Sequence, residues 1–503
     1  MAILKTFSEI DKKDVFHRQK PNKGILGNVI EQSLLGMEQN SLQKADLEIT
    51  YNNGITHSTE LKTTGVEKPK KETGEVYRAK ECASLTAVSI GTIEHEEWET
   101  SHFYDKLAHL LWFFYVYERK EGQKIVPSSD YGEFKILGYT FTHLEDSPSD
   151  LKTFRSDWET TKNFLIEADK TENPEDLYPK LHESIKKDLN FIDIAPRYQK
   201  ADSSNGTSAQ SPRFRIKKPY VNSVFQKFWN EKYSGITNIE HLAQEYATIQ
   251  DLEKDLHLLT QTYKGKTIEE LTKILKIPVK NNDYLKLTKS VAEEIVVRMV
   301  GGKSKKISSI DFFNKIGLIA KTITVTKKET RTEDMKLFTM DLDEMQDKEL
   351  PYEETSYYQY FNDYQLLCIM FEEPSQEAPL KDNKFLGFKR LVFSDSEIET
   401  TMKTVYDISC NLINDGTVKE TYCCRKNGTK IINKNGLAKT ALNFPKSKEY
   451  NIFVRGTGQD SSDKTWEFKG QSADGSNIVK AYDLQFWVKG SYITNILKKE
   501  KYI

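Results

Sequence analysis

Asp46, Glu60 and Lys62 have the side-chain types and the spacing to hydrolyse a phosphate ester. Ala45-Asp46-Leu47-Glu48-Ile49 alternates like a strand, and Asn52-Asn53-Gly54 is a hairpin turn signal. His57-Ser58-Thr59-Glu60-Leu61-Lys62-Thr63 then returns as a second strand. Strand side chains alternate between faces, so Glu60 and Lys62 share one. With a three-residue loop at 52–54, Asp46 stands opposite Glu60, about 5 Å away at Cβ. A two-residue loop would move Asp46 to the other face unless a bulge restored it. Paired carboxylates repel, and one tends to hold a proton. Mg2+ offsets that repulsion, because it takes one or two carboxylates together with water and substrate phosphate. It also lowers the pKa of a bound water and stabilises charge on a phosphoryl oxygen. Lys62 would place the attacking water or neutralise charge developing at phosphorus. The D…E-x-K pattern is short, and the same residue types also build surface salt-bridge ladders. His57, three residues from Glu60, falls on the opposite face and reads as structural.

Other elements must position this hairpin. Leu26 to Gly36 has apolar residues at helical spacing and a glycine where a helix would stop, and it carries Glu31. Residues 197 to 218 supply Arg197, Lys200, Arg213, Arg215, Lys217 and Lys218 against the single acid Asp202. Such a run is either a solvated face or a local grip on phosphates. Residues 201–211 are rich in Ser, Gly and Asn and read as a mobile loop.

An internal repeat organises the whole chain. Glu99-Thr100-Ser101-His102, followed by Lys106 and an apolar run, recurs as Glu354-Thr355-Ser356-Tyr357 with its own apolar run. Phe214 to Tyr220 echoes Phe486 to Tyr492, and Leu61-Lys62-Thr63 echoes Ala320-Lys321-Thr322. Three pairs in the same order indicate two related domains. We expect them at 1–233 and 264–503, with a helical connector at 234–263. The first half mixes helical and strand patterns, so the fold class is α/β, of a mixed α+β kind.

Composition narrows the field. The chain has 503 residues, 73 basic and 75 acidic, for a net charge of −2. A carpet of positive charge is thereby excluded, a basic cleft is not. No apolar run approaches the ~20 residues of a membrane span. The start has no secretory pattern, and the five cysteines lack a CxxC pair. A reducing cytoplasm is the expected location. The stretch 301–306, Gly-Gly-Lys-Ser-Lys-Lys, lacks the spacing of a P-loop.

The order of these motifs resembles the MutH mismatch-repair endonucleases. The resemblance is carried by Asn22 to Gly36, Ala45-Asp46-Leu47, Glu60-Leu61-Lys62-Thr63, the block Trp98-Glu99-Thr100-Ser101-His102 through Trp112, and Arg213 to Tyr220. The two-domain layout is closer to the Sau-type restriction endonucleases that cut at GATC. Ile194-Ala195-Pro196-Arg197 with Lys200-Ala201, and the ending Phe486 to Ile493, look like theirs. Three departures from MutH stand out: a longer hairpin between Asp46 and Glu60, Ala195-Pro196-Arg197 where MutH has Arg-Pro-Lys, and Arg215 where MutH carries a tyrosine.

The resemblance implies two restriction-endonuclease-like domains, each a mixed sheet flanked by helices, the second degenerate. It implies Mg2+ bound by Asp46 and Glu60, Lys62 assisting the nucleophilic water, Glu31 beside the metal and Lys106 near the phosphate. Double-stranded DNA would be read by the 195–204 loop and the basic segment at 213–218. In the second copy Ile319 aligns with Glu60 and Phe361 with Lys106, while Lys321 survives opposite Lys62. That half would then be catalytically dead and bind a second DNA site as an allosteric effector. The expected function is a type II restriction endonuclease, cutting before the G of GATC. A mismatch-repair nickase and a non-catalytic DNA-binding module are the alternatives. No membrane partner is expected. Two sites per chain suggest DNA looping or a transient dimer, with a cognate methyltransferase that is not a stable subunit.

Overall fold

The longest apolar runs become the inner strands of two mixed sheets. The structure, a computed structural model, describes all residues except 1–3, 20–23, 38–44, 53, 70–74, 89–90, 119, 121–125, 169–173, 195–211, 235–238, 330–331, 349, 376–377, 434 and 459–463. The chain divides into two units, Met1–Leu256 with Val296–Ile319, and His257–Ile295 with Ala320–Ile503. It therefore passes between them three times, at 256/257, 295/296 and 319/320.

The strands of the first unit are β1 (Leu47–Thr50), β2 (Thr56–Glu67), β3 (Arg78–Ala79), β4 (Ala83–Ala87), β5 (His109–Val116), β6 (Lys135–His143), β7 (Ile192–Ile194) and β8 (Arg213–Ile216). The main sheet runs β1-β2-β5-β6, with β3 also on β2. β2 and β5 are parallel and their neighbours antiparallel, so the sheet is mixed, as expected. Parallel neighbours need a long crossover, which the chain from 68 to 108 supplies. One face is buried by Leu61, Leu111, Phe113 and Tyr115 packing with Phe7, Ile25, Leu26 and Val29. On the other, Phe114 meets Phe225 and Phe228 of the helix Lys218–Trp229. Each fully buried side chain of this size stabilises by about 1.5–3 kcal/mol.

A second, antiparallel sheet runs β4-β8-β7. Asp157, on the helix Pro148–Glu167, ties it down. One oxygen accepts from the backbone and side-chain nitrogens of Asn190 at 2.8 and 2.7 Å. The other accepts from the backbone N–H groups of Phe191 and Ile192 at 2.8 and 3.1 Å.

The second unit repeats this plan. Its strands are β9 (Leu318–Val325, of which the first two residues belong to the first unit), β10 (Met335–Thr339), β11 (Gln365–Glu372), β12 (Lys384–Leu391), β13 (Val418–Tyr422), β14 (Thr440–Leu442), β15 (Ile452–Gly456), β16 (Trp466–Gln471), β17 (Ile478–Ala481) and β18 (Leu484–Val488). They form three sheets, β12-β11-β9, β10-β18-β15 and β14-β13-β16-β17. The bulge after Phe114, which pairs with Gly138, recurs after Met370, which pairs with Gly387. A Cβ on Gly138 would meet the Phe228 ring at 2.8 Å, and one on Gly387 would meet Thr260 at 2.7 Å, so neither position has room for a side chain. The helix after β8 is matched by Gly490–Leu497 after β18.

Replacing Asp157 with Ala leaves four buried donors without their acceptor. Urea unfolding should show a loss of about 3 kcal/mol or more. A loss under about 1 kcal/mol would show that this anchor is dispensable.

Candidate active site

The hairpin register decides whether the acids can meet. Leu47 pairs with Thr59, Glu48 with Ser58 and Thr50 with Thr56. Continued by one residue, this places Asp46 opposite Glu60. Tyr51 N–H donates to the Ile55 carbonyl at 2.9 Å, which closes the turn around 52–54. Asp46 Oδ2 accepts from the Leu61 backbone N–H at 2.9 Å, which holds its carboxylate against the second strand.

Glu60 is the centre of the cluster and is 5% exposed. Its Oε1 accepts from Lys62 Nζ at 2.7 Å, and its Oε2 from Lys106 Nζ at 2.7 Å. Lys62 reaches it from two residues along the same strand. Lys106 arrives from the short helix His102–Leu107. Ser101 caps that helix, accepting from Tyr104 N–H at 3.1 Å and donating to the Trp98 carbonyl at 2.8 Å. The WETSH block therefore builds the turn that aims Lys106.

Glu31 joins from the helical turn Ile30–Leu34. Burial raises its pKa, and Asp46 and Glu60 raise it further, partly offset by Lys62 and Lys106. Asp46 is raised likewise, by burial first and by Glu60 second. Three carboxylates thus act on one another beside two ammonium groups, a formal excess of one negative charge within this set. Asp46 Oδ1 accepts no hydrogen bond from the described residues.

Among the described residues no group of three or more His, Cys, Asp and Glu side chains is arranged to hold an ion. Asp46 and Glu60 are a two-carboxylate set. That number suits Mg2+ where water and substrate phosphate complete its shell. The excess negative charge and the uncommitted Asp46 oxygen also fit a cation.

His57 turns away from the acids. It lies 4.0 Å, ring to ring, from His109, and His109 Nδ1 is 2.7 Å from His143 Nδ1. Burial, with His57 and His143 next, lowers the His109 pKa to about 4, so that ring is neutral at pH 7.

The basic segment splits between surface and interior. Arg197 and Lys200 lie outside the described residues, as does the loop they belong to. Arg213 is exposed and donates to the Leu85 carbonyl at 2.9 Å. Arg215 is committed to Asp193, whose other oxygen is 3.0 Å from His182 Nε2. Burial alone would raise the Asp193 carboxyl, but Arg215 and His182 outweigh it and hold it well below the usual range. Lys217 is 3% exposed and donates to the Leu189 carbonyl at 2.8 Å, and Lys218 is 7% exposed. Neither is presented at the surface.

A cavity of about 270 Å³ adjoins Lys106, walled also by His102, Glu96, Arg213, Leu85 and Trp158. The sequence reading missed His102 and Glu96 as members of a site. The pairing of β4 with β8 brings Leu85 to Arg213, and the packing of Trp98 on Trp158 and of Phe103 on Phe214 adds the other walls.

In the second unit, Thr355 repeats the cap of Ser101. It accepts from Tyr358 N–H at 3.1 Å and donates to the Tyr352 carbonyl at 2.7 Å. Phe103 against Phe214 is matched by Tyr357 against Phe486. These pairs correct the sequence alignment by one residue. Tyr360, not Phe361, takes the place of Lys106, and Phe361 takes that of the buried Leu107. Lys321 Nζ donates to the Lys336 carbonyl at 2.9 Å, and burial lowers its pKa to about 8.

Comparison with known proteins bears on the same residues. Residues 35–140 match the family model for the DNA mismatch repair enzyme MutH. The type II restriction enzyme Sau3AI of Staphylococcus aureus is 22% identical over 415 residues, 80% of this chain and 76% of that enzyme. This chain is similar to the MutH-like, Sau-type restriction endonucleases. The expected resemblance is borne out, and it supports a site-specific deoxyribonuclease. The MutH match contains Asp46, Glu60, Lys62 and Lys106, while Glu31 and the basic segment lie outside it. No described helix is long and apolar enough to cross a membrane.

Arg215 to Leu strands Asp193 in the interior, and should cost about 3 kcal/mol or more in the absence of DNA. The sign with pH follows from the lowered carboxyl. Its unfolded pKa is about 3.9, so the pair contributes fully above pH ~4 and less as pH falls below that. Unfolding followed from pH 7 to pH 2 should show a shallower acid loss in the variant. Equal stability of the two proteins at pH 7 would contradict this assignment.

Proposed function

We propose that the chain is a type II restriction endonuclease that hydrolyses double-stranded DNA in its first unit with Mg2+. The observation that carries this reading is Glu60, gripped by Lys62 and Lys106 and facing Asp46 across a hairpin. Asp46 and Glu60 would hold the ion, and their crowding is relieved by it. When bound, Mg2+ supplies charge neutralisation at the scissile phosphate and a more acidic water. Lys62, which donates to Glu60, would hydrogen-bond the attacking water and orient it in line with phosphorus. Lys106 can then face a non-bridging oxygen and offset its developing charge. Glu31, its pKa raised by burial and by its acidic neighbours, is suited to accept the proton that water gives up.

DNA would be gripped by the loop at 195–204, with Arg197 and Lys200, and by the exposed Arg213. Arg215, Lys217 and Lys218 would support that surface from behind. The site read would be GATC, cut before the G, following the resemblance to the Sau-type restriction endonucleases. The domain at 264–503 is a pseudo-nuclease that binds a second DNA site and raises cutting at the first, with 234–263 as the connector. Such an effector needs two states and a coupling energy between sites. Ile319 and Tyr360 in place of Glu60 and Lys106 support the loss of chemistry there.

Digestion of unmethylated plasmid, followed by sequencing of the ends, tests site and cut position together. Linear products with GATC at their 5′ ends are expected, and EDTA should prevent them. Glu60→Ala and Lys62→Ala should each lower cleavage by at least about 10³-fold, roughly 4 kcal/mol of barrier, and leave DNA binding in place. Full cleavage by either variant would refute the site. Plasmid that is nicked but never linearised would favour the repair nickase.

A further inference from the structure

Both units build a three-stranded antiparallel sheet whose central strand leads into a helix, β8 in the first and β18 in the second. In the first, the connection from β7 to β8 is the 195–212 segment, expected to touch DNA. In the second, the equivalent connection from β15 to β18 carries β16 and β17. These strands join β13 and β14 in the sheet β14-β13-β16-β17, which has no counterpart among the described residues of the first unit.

Between β13 and β14 the chain makes a ribbon at 423–439. Two Asn-Gly turns shape it, and Gly428 and Gly436 take φ of 82° and 80°, which glycine adopts without strain. Arg425 N–H donates to the Thr429 carbonyl at 2.8 Å and Asn433 N–H to that of Leu437 at 2.8 Å. The legs are tied by Ile431 N–H to the Cys423 carbonyl at 2.8 Å and Lys439 N–H to that of Ile431 at 2.7 Å.

This ribbon contains Arg425, Lys426, Lys430, Lys434 and Lys439, and no acid. Arg425, Lys426, Lys430 and Lys439 are all exposed. Among the described residues none of these four has a carboxylate within ion-pair distance. Lys430 lies over the Tyr422 ring at 3.4 Å. Other cations of the same unit are paired, among them Lys273 with Glu269, Lys403 with Asp407 and Lys464 with Glu420. A run of like charge on a short hydrogen-bonded hairpin suits a polyanion. A two-stranded ribbon also fits the major groove of B-DNA, about 12 Å wide.

We propose that the 423–439 ribbon is the duplex-DNA contact of the second unit, with Arg425, Lys426, Lys430 and Lys439 pairing with backbone phosphates. This rests on the reading of the chain as a DNA-cutting enzyme with a second DNA site, and it supplies that site's residues.

The test is binding of the full chain to a labelled DNA duplex in EDTA, by fluorescence anisotropy from 50 to 200 mM salt. Each phosphate neutralised contributes about −0.9 to the slope of log K against log salt. The variant R425Q/K426Q/K430Q/K439Q should lower the slope by about 3–4 and weaken binding at least tenfold at 50 mM salt. A control that neutralises the exposed Lys327, Lys328, Lys498 and Lys499 should change the slope by less than about 1. Because ribbon folding could suffer, each single variant is measured too and should remove about 0.9. An unchanged slope in the ribbon variants, or an equal fall in the control, would overturn the proposal while leaving the nuclease reading intact. A wild-type chain that bound no duplex would remove both. Competition by anionic lipid vesicles or single-stranded RNA as strong as that by unlabelled duplex would also overturn it.

Discussion

The first unit is organised around electrostatic crowding on one face of a hairpin. Asp46, Glu60 and Glu31 bring three carboxylates into mutual reach in partly buried positions, which raises the pKa of Asp46 and Glu31. A purely structural role does not call for this arrangement, because hydrophobic side chains of similar size would pack there at lower cost. Lys62 and Lys106 relieve part of the repulsion, and a divalent cation would relieve the rest. The hairpin register, the capped turn before Lys106 and the parallel pairing of β2 with β5 all serve to keep these five side chains together.

Much of this was legible in the sequence because it depends on short-range periodicity. The two-residue repeat of a strand fixes that Glu60 and Lys62 share a face. The Asn-Asn-Gly signal marked the hairpin but left two loop lengths open, and the observed pairing of Leu47 with Thr59 decides for the one that sets Asp46 opposite Glu60. The ends of the basic segment were harder. Arg215, Lys217 and Lys218 look alike in sequence to Arg213, yet three of the four are turned to Asp193, the Leu189 carbonyl or the interior. Their fate depends on Asp157, Asp193 and His182, which meet them only after β7 pairs with β8. The cavity beside Lys106 was invisible for the same reason.

The repeat shows how a fold survives the loss of its chemistry. The bulge with its glycine, the capped helix and the aromatic pair between helix and central strand all recur in the second unit. Those features hold backbone and core. Of the polar cluster, Glu60 and Lys106 have no charged counterpart at the matched positions. Lys321 remains, but Ile319 and Tyr360 stand at the sequence positions of Glu60 and Lys106, and its ammonium donates to the Lys336 carbonyl. The one-residue slip in the sequence alignment arose because Glu-Thr-Ser matches by identity, whereas the cap is made by Ser101 in one copy and Thr355 in the other.

Mn2+ binding watched by electron paramagnetic resonance tests the central claim most directly. Titrated into the full chain with a duplex present, Mn2+ should occupy a site that Asp46→Asn weakens at least tenfold and that Lys321→Met leaves unchanged. Equal Mn2+ affinity in wild type and Asp46→Asn would show that the crowded carboxylates are not a cation site.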